Sequence, residues 1–245
     1  MDAEETDDVR IEKDYSLKQH NTFGIDAKCA QFVEYSSEAE AKEVAKLLRT
    51  SRVPYIIIGG GSNLLLTRDY EGTVVHSACK GIRCDGDRLI CGSGEVFDDV
   101  VAQSINMGLY GAENLSLIPG DVGASAVQNI GAYGAEAKDL IRSIRAIEIE
   151  TGNVCTIENA DCEYGYRQSR FKKDWKNKYL ILSVEYQFSE EFSPRLDYGN
   201  IRAELEKSGI TNPTAQQLRD PIIRIREAKL PDPKVLGNAG RFFMN

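Results

Sequence analysis

Two glycine clusters sixty residues apart carry the chemistry most plainly written in this chain. The first is Gly59-Gly60-Gly61-Ser62-Asn63, and the second is Pro119-Gly120-Asp121-Val122-Gly123-Ala124, running on to Gln128-Asn129-Ile130-Gly131-Ala132-Tyr133-Gly134. Residues without a Cβ let main-chain N–H groups approach phosphate oxygens, and such amides form anion-binding concavities that need no lysine. The two clusters therefore read as two backbone walls around one phosphate-bearing cofactor.

The first cluster fails the dinucleotide fingerprint, because Gly-x-Gly-x-x-Gly needs a glycine where Leu64 stands, and it lacks the Gly-Lys-Ser/Thr of a Walker loop. Taken alone, such a triplet is more often a tight turn than a ligand site; Ser62 and Asn63 tip the balance by adding side-chain hydrogen bonds beside exposed amides. In the second cluster Gln128 and Asn129 present donors and acceptors together, which suits a ring such as isoalloxazine that offers both. A plain surface loop is the alternative there. A third group, Tyr164-Gly165-Tyr166-Arg167-Gln168-Ser169-Arg170-Phe171-Lys172, is basic and aromatic. Arg167 can bind a carboxylate bidentately and hold an anion while negative charge builds on it, the alternative being a solvated basic face. Lys229, before Leu230-Pro231-Asp232-Pro233, carries the same two readings.

The elements that must position these groups are legible from periodicity. Ser37 caps a helix with Ala41, Val44, Ala45 and Leu48 on its apolar face. The run 53–58 reads as a buried strand that delivers the chain into Gly59. Residues 73–76 and 89–91 are further strands. Residues 95–107 read as a helix with Val96, Val100, Val101 and Ile105 inward, ended by Gly108. The stretch 111–134 has too many glycines for regular structure. Residues 144–150 and 154–157 form a hairpin about Thr151-Gly152-Asn153, and 179–188 is another strand. Helices follow at 200–208, ended by Gly209, and at 214–228, where Pro221 is expected to kink or split the helix.

At 245 residues, 42% hydrophobic and 28% charged, the chain can bury a substantial core. A net charge of −8 and a pI near 5.0 argue against a general nucleic-acid binder. The acidic segment 1–8 lacks the apolar core of a signal peptide, and no aliphatic run is long enough to span a membrane. These features predict a cytoplasmic protein with no membrane insertion. Six cysteines without a Cys-x-x-Cys pair, with only His20 and His76 beside them, predict buried free thiols and no metal site.

The motifs in order resemble the UDP-N-acetylenolpyruvoylglucosamine reductase (MurB) family. They are Leu17-Lys18-Gln19-His20-Asn21-Thr22-Phe23-Gly24, the Gly59 cluster, Glu113-Asn114-Leu115, Ile118-Pro119-Gly120, the segment 128–134, Gly165-Tyr166-Arg167, Tyr198-Gly199 and Lys229-Leu230-Pro231-Asp232-Pro233. The resemblance implies an α+β FAD-binding fold of the vanillyl-alcohol-oxidase type. The acidic run at the N-terminus has little apolar surface to bury and reads as a disordered leader over 1–14; the resemblance implies FAD-binding subdomains over 15–77 and 78–229, and the start of a substrate-binding domain over 230–245. It implies FAD held by Gly59, Gly60, Gly61, Ser62, Asn63, Leu64, Pro119, Gly120, Gly123, Ala124, Gln128, Asn129 and Gly131, and NADPH as reductant. The implied substrate is a nucleotide sugar touched by Tyr166, Tyr198, Lys229 and Asn245, with Arg167 on its enolpyruvyl carboxylate, and the implied protein is a monomer serving peptidoglycan synthesis.

The family's proton-donor serine is replaced here by Arg241, and a family lysine by Met244. A guanidinium is a poor proton donor at neutral pH. With the chain ending at Asn245, the resemblance implies a form truncated in its third domain, and inactive for these reasons. The alternatives are a non-catalytic FAD-binding fragment, a degenerate paralogue, or another flavin oxidoreductase of the same fold.

Overall fold

The computed structural model describes residues 9–233 and 235–239. The first of its two main sheets has the order β1-β2-β4-β3. Here β1 is Arg10–Ser16, β2 Lys28–Tyr35, β3 Tyr55–Ile58 and β4 Tyr70–Ser77. The β2–β4 and β4–β3 pairs are parallel, and β1 runs antiparallel on the outer edge. A parallel connection needs a crossover, which α1 (Glu38–Thr50) supplies between β2 and β3. Its N-cap is Ser37, whose hydroxyl accepts the Glu40 amide hydrogen.

The second sheet, β10-β9-β11-β6-β5, is antiparallel throughout. Its strands are β5 (Ile82–Asp85), β6 (Arg88–Gly92), β9 (Ile141–Glu148), β10 (Val154–Glu158) and β11 (Tyr179–Gln187). Between β6 and β9 lie α2 (Phe97–Asn106), α3 (Val122–Gln128) and a small hairpin of β7 (Gly131–Ala132) and β8 (Ala135–Glu136). Val100, Val101, Val122 and Ala126 from these helices share a core with Leu89, Ile144 and Val184 of the sheet. The apolar face of α1 joins Val33 and Val75 of the first sheet to Ile147 and Leu180 of the second, so one helix serves both sheets.

At the C-terminal side, α4 (Ile201–Lys207) and α5 (Ala215–Lys229) pack through Ile201, Leu205, Leu218 and Ile222. A bidentate pair fastens α5 to α2: Arg219 donates to the two carboxylate oxygens of Asp98 at 2.7 and 2.8 Å. Asp98 also accepts the Leu117 amide hydrogen, so it joins two helices and the loop leading to Gly120.

Several expectations require correction. Order does not wait for Tyr15: β1 begins at Arg10, whose guanidinium pairs with Glu12 and Glu34 and anchors the edge strand, while 1–8 lie outside the described residues. The glycine-rich stretch is not devoid of regular structure. It contains α3 and β7, and in α3 Gly123 serves a close approach: its N–H donates to Ser93 O at 2.9 Å, and an added Cβ would stand 3.0 Å from Ser93 Cβ. Pro221 does not split α5, whose buried face and Arg219–Asp98 pair hold one continuous helix around it. Val96 caps α2 in an exposed position instead of facing inward. Cys84 is exposed, whereas Cys29, Cys79, Cys91 and Cys162 are buried. No helix among the described residues is long and apolar enough to cross a membrane.

Breaking the Asp98–Arg219 pair leaves a guanidinium buried without its counter-charge. Asp98→Ala is therefore expected to lower unfolding stability by about 3 kcal/mol. Urea denaturation checks this; a loss below about 1 kcal/mol would reduce the pair to the worth of a surface ion pair.

Candidate cofactor cleft and substrate loop

A cleft of about 360 Å3 opens between β3, the first sheet's edge strand, and β11. One wall is the loop leaving β3, Gly59, Gly60, Gly61, Ser62, Asn63 and Leu64. The opposing wall is α3 with its N-cap, through Asp121, Gly123, Ala124, Val127 and Gln128. The segment before β11 supplies a third side through Phe171, Lys172, Trp175, Lys176 and Asn177.

The two glycine clusters meet directly. Ser62 Oγ donates to Pro119 O at 3.1 Å, and Asn63 Nδ2 donates to Gln128 Oε1 at 2.8 Å. An added Cβ on Gly59 would reach 3.0 Å from Ala124 Cβ, and one on Gly60 would reach 3.0 Å from Asp121 Oδ1. Gly120 has φ +116°, and its Cβ would fall 2.9 Å from Ser62 Oγ. This is a cradle that side chains would fill, and it fits a phosphate-bearing ligand held by main-chain amides.

Nine of the expected cofactor residues thus line the cleft, and Pro119 and Gly120 buttress Ser62 from behind. Asn129 and Gly131 are not among the residues that line the cleft. Asn129 is fully buried with its side chain bonded inside the protein, and Gly131 sits in β7 where a Cβ would be 3.1 Å from Ala135 O.

Sequence reasoning missed the charge network under the cleft. His76 Nδ1 lies 2.9 Å from Glu34 Oε2, and His76 Nε2 lies 3.6 Å from Asp121 Oδ2. The His20 ring meets the His76 ring at 4.9 Å, and its Nε2 lies 3.2 Å from the Tyr15 hydroxyl. Burial pulls the His76 imidazole down, but Asp121 and Glu34 outweigh it and leave its pKa raised. Burial and the charge of His76 both lower His20. Burial acts to raise Glu34, and its bonds to Arg10 and His76 overcome this to hold it below the usual carboxylate range. The sequence offered no signal beyond its having only two histidines, since the His76 partners Glu34 and Asp121 lie far from it in the chain. Among the described residues no group of three or more His, Cys, Asp or Glu could hold a metal ion.

The segment that carries Arg167 is a turn closed by Gly165 and Gln168, each donating its N–H to the other's carbonyl at 3.0 Å. Arg167 adopts φ +51°, and its guanidinium carbon lies 5.8 Å from the centre of the exposed Tyr166 ring. Lys172, a cleft residue, donates from Nζ to Arg167 O at 3.0 Å, which sets this turn at the rim. Tyr198 is exposed and meets Tyr133 edge-on at 6.5 Å, while Lys229 is exposed at the end of α5. Arg241 and Asn245 lie outside the described residues. Arg226, not singled out by the sequence, donates to Leu117 O at 3.2 Å; burial lowers its pKa, opposed by nearby Tyr133 and Asp98.

Residues 29–158 match the FAD binding domain family. The chain is 46% identical over 235 residues to the UDP-N-acetylenolpyruvoylglucosamine reductase of Neisseria gonorrhoeae, covering 94% of this chain and 68% of that protein. It is 49% identical over 243 residues to the reductase of the same name from Bacteroides fragilis, covering 96% and 71%. Among solved structures, the reductase (MurB) from Thermus caldophilus gives a TM-score of 0.72 at 21% identity, over 97% of this chain and 75% of that one. The 6-hydroxy-D-nicotine oxidase of Arthrobacter nicotinovorans gives 0.57 at 17% identity, over 74% and 42%. The fold is the α+β FAD-binding fold of the vanillyl-alcohol-oxidase type.

Gly60→Ala is expected to weaken FAD retention roughly tenfold or more, the scale of a 1–3 kcal/mol overpacking penalty. Visible absorbance of the purified protein after dialysis reads this, and undiminished flavin would remove Gly60 from the cradle. The raised folded-state pKa of His76 makes its contribution to stability complete below 6.5, its ordinary value, and lost as pH rises through the raised one. His76→Gln should therefore cost more melting temperature at about pH 6 than at about pH 8.5. An equal cost at both would show that the ion pairs with Glu34 and Asp121 contribute nothing.

Proposed function

Because the chain belongs to the UDP-N-acetylenolpyruvoylglucosamine reductase family, we propose that its glycine-walled cleft holds FAD for the NADPH-driven reduction of UDP-N-acetylglucosamine enolpyruvate to UDP-N-acetylmuramate. The observation that carries this reading is the convergence of both glycine clusters on one cleft with the Arg167 turn tied to its rim. We place the reaction in peptidoglycan precursor synthesis in the cytoplasm, with the protein acting as a monomer.

In this reading the amides of 59–61, with Ser62 and Asn63, hold the diphosphate, and Gly123, Ala124 and Gln128 close the opposite wall. Lys172 and Lys176 supply positive charge at the same cleft. Bound there, FAD supplies a ring that carries hydride between nicotinamide and the enolpyruvyl double bond. Arg167 pairs bidentately with the substrate carboxylate and stabilises the negative charge that develops on it, an interaction stronger in the transition state than in the ground state. Tyr166, Tyr198, Lys229 and Asn245 contact the nucleotide sugar and its phosphates.

Arg241 favours a second reading for the last proton. A guanidinium stays protonated at neutral pH and does not serve as a general acid, so flavin reduction proceeds while protonation of the substrate carbon lacks its usual donor. The chain is then an FAD-binding protein of this family with slow or absent turnover.

Anaerobic addition of NADPH should bleach the flavin, and subsequent addition of the enolpyruvyl nucleotide sugar tests reoxidation. Arg241→Ser is expected to raise substrate-dependent reoxidation by about 100-fold or more, the usual worth of a positioned general acid. Arg167→Lys in that background should lower it by about 100-fold while leaving the bleaching rate alone. A flavin that NADPH leaves oxidised would overturn the assignment of the reductant.

A further inference from the structure

Asn129 stands in the most specific motif of the second glycine cluster, yet every polar atom of its side chain is spent inside the protein. Its Nδ2 donates to Glu136 Oε2 at 2.6 Å and to Gly165 O at 2.8 Å, and its Oδ1 accepts the Lys138 N–H at 2.9 Å. The residue is 0% exposed. Its backbone, at φ 45° and ψ 61°, ends α3 in the left-handed conformation, with its N–H donating to Ser125 O. Few residues meet both demands. Left-handed backbone favours glycine and asparagine, and two donors plus an acceptor on so short a side chain belong to asparagine.

The two ends it joins matter more than the bonds themselves. On one side is the end of α3, whose Val127 and Gln128 line the cleft. On the other is the turn 165–168, which presents Tyr166 and Arg167. A second tie runs in parallel, Ser169 Oγ donating to Val127 O at 2.6 Å from a fully buried site. The turn is thereby pinned at both ends to the helix that walls the cleft.

We propose that Asn129 is a positioning residue for Arg167, setting the turn 165–168 in register with the cleft wall while touching neither cofactor nor substrate. This rests on the reading of Arg167 as the group that binds the substrate carboxylate. Small displacements of such a group are costly, because its benefit depends on a narrow geometry.

The test uses Asn129→Asp, which keeps the size and tolerates the left-handed backbone but loses both donors and faces Glu136 with like charge. Asn129→Gly, which keeps the backbone freedom alone, and Asn129→Asp with Glu136→Gln, which relieves the repulsion, guard against a variant that fails to fold. The enolpyruvyl nucleotide sugar is titrated against the flavin absorbance of each variant, with and without Arg167→Ala. Flavin content is expected within about twofold of the parent, with substrate affinity down about tenfold, the loss of roughly one hydrogen bond's worth of registration. In the Arg167→Ala background the same change should cost nothing further, since neighbours acting through one another are not additive. Equal losses in both backgrounds, undiminished affinity, or loss of flavin would overturn the positioning role. Hydrogen exchange at the Gly165 and Gln168 amides separates the two readings. If Arg167→Ala leaves affinity unchanged while Asn129→Asp still speeds that exchange, the carboxylate assignment falls and the pinning of the turn stands.

Discussion

The absence of side chains at one contact governs this structure. The loop leaving β3 and the N-terminal turn of α3 approach so closely that a methyl group at Gly59 would press on Ala124 Cβ and one at Gly60 on the Asp121 carboxylate. That contact brings segments sixty residues apart, from different sheets, to the two walls of one cleft. It also leaves main-chain amides as the natural partners for an anion there, in a protein whose net charge is −8. The hydrogen bonds Ser62–Pro119 and Asn63–Gln128 close the same seam with side chains.

What the sequence disclosed followed from local rules. Ser37 capped α1 as its position indicated, the apolar run 55–58 became the strand that feeds Gly59, and Gly108 and Gly209 took positive φ after their helices. The glycine clusters were legible because a missing Cβ is visible in the letters. What escaped were features made only by tertiary contact. Nothing local distinguishes Gly123 as a helix residue: its role is to let α3 touch Ser93, and Ser93 is thirty residues away. Arg219, two residues before Pro221 in the continuous α5, is paired with Asp98, more than a hundred residues earlier. Asn129 read as a ligand because amides suit rings, and only its buried partners show that it is committed elsewhere.

An acidic side chain in a cleft suited to phosphate needs an account, and the second layer supplies one. Asp121 faces His76, His76 faces Glu34, and Glu34 faces Arg10, so charge alternates from the cleft to the outer edge strand. Burial alone would disfavour the charged form of His76; the two carboxylates outweigh it and leave the pKa raised. The network reaches β1 at its first residue, Arg10, and so ties the edge strand to β2 and β4.

The placement of α1 has a consequence for how the molecule comes apart. Its apolar face is shared by strands from both sheets, and the Tyr35 hydroxyl reaches across to Ile181 O at 2.8 Å. Cutting between residues 77 and 82 would separate the sheets on paper, yet it would strand half a core on each piece. The chain is accordingly built to melt in one cooperative step, and a gene split at that point would encode two halves that must find each other before either is sound.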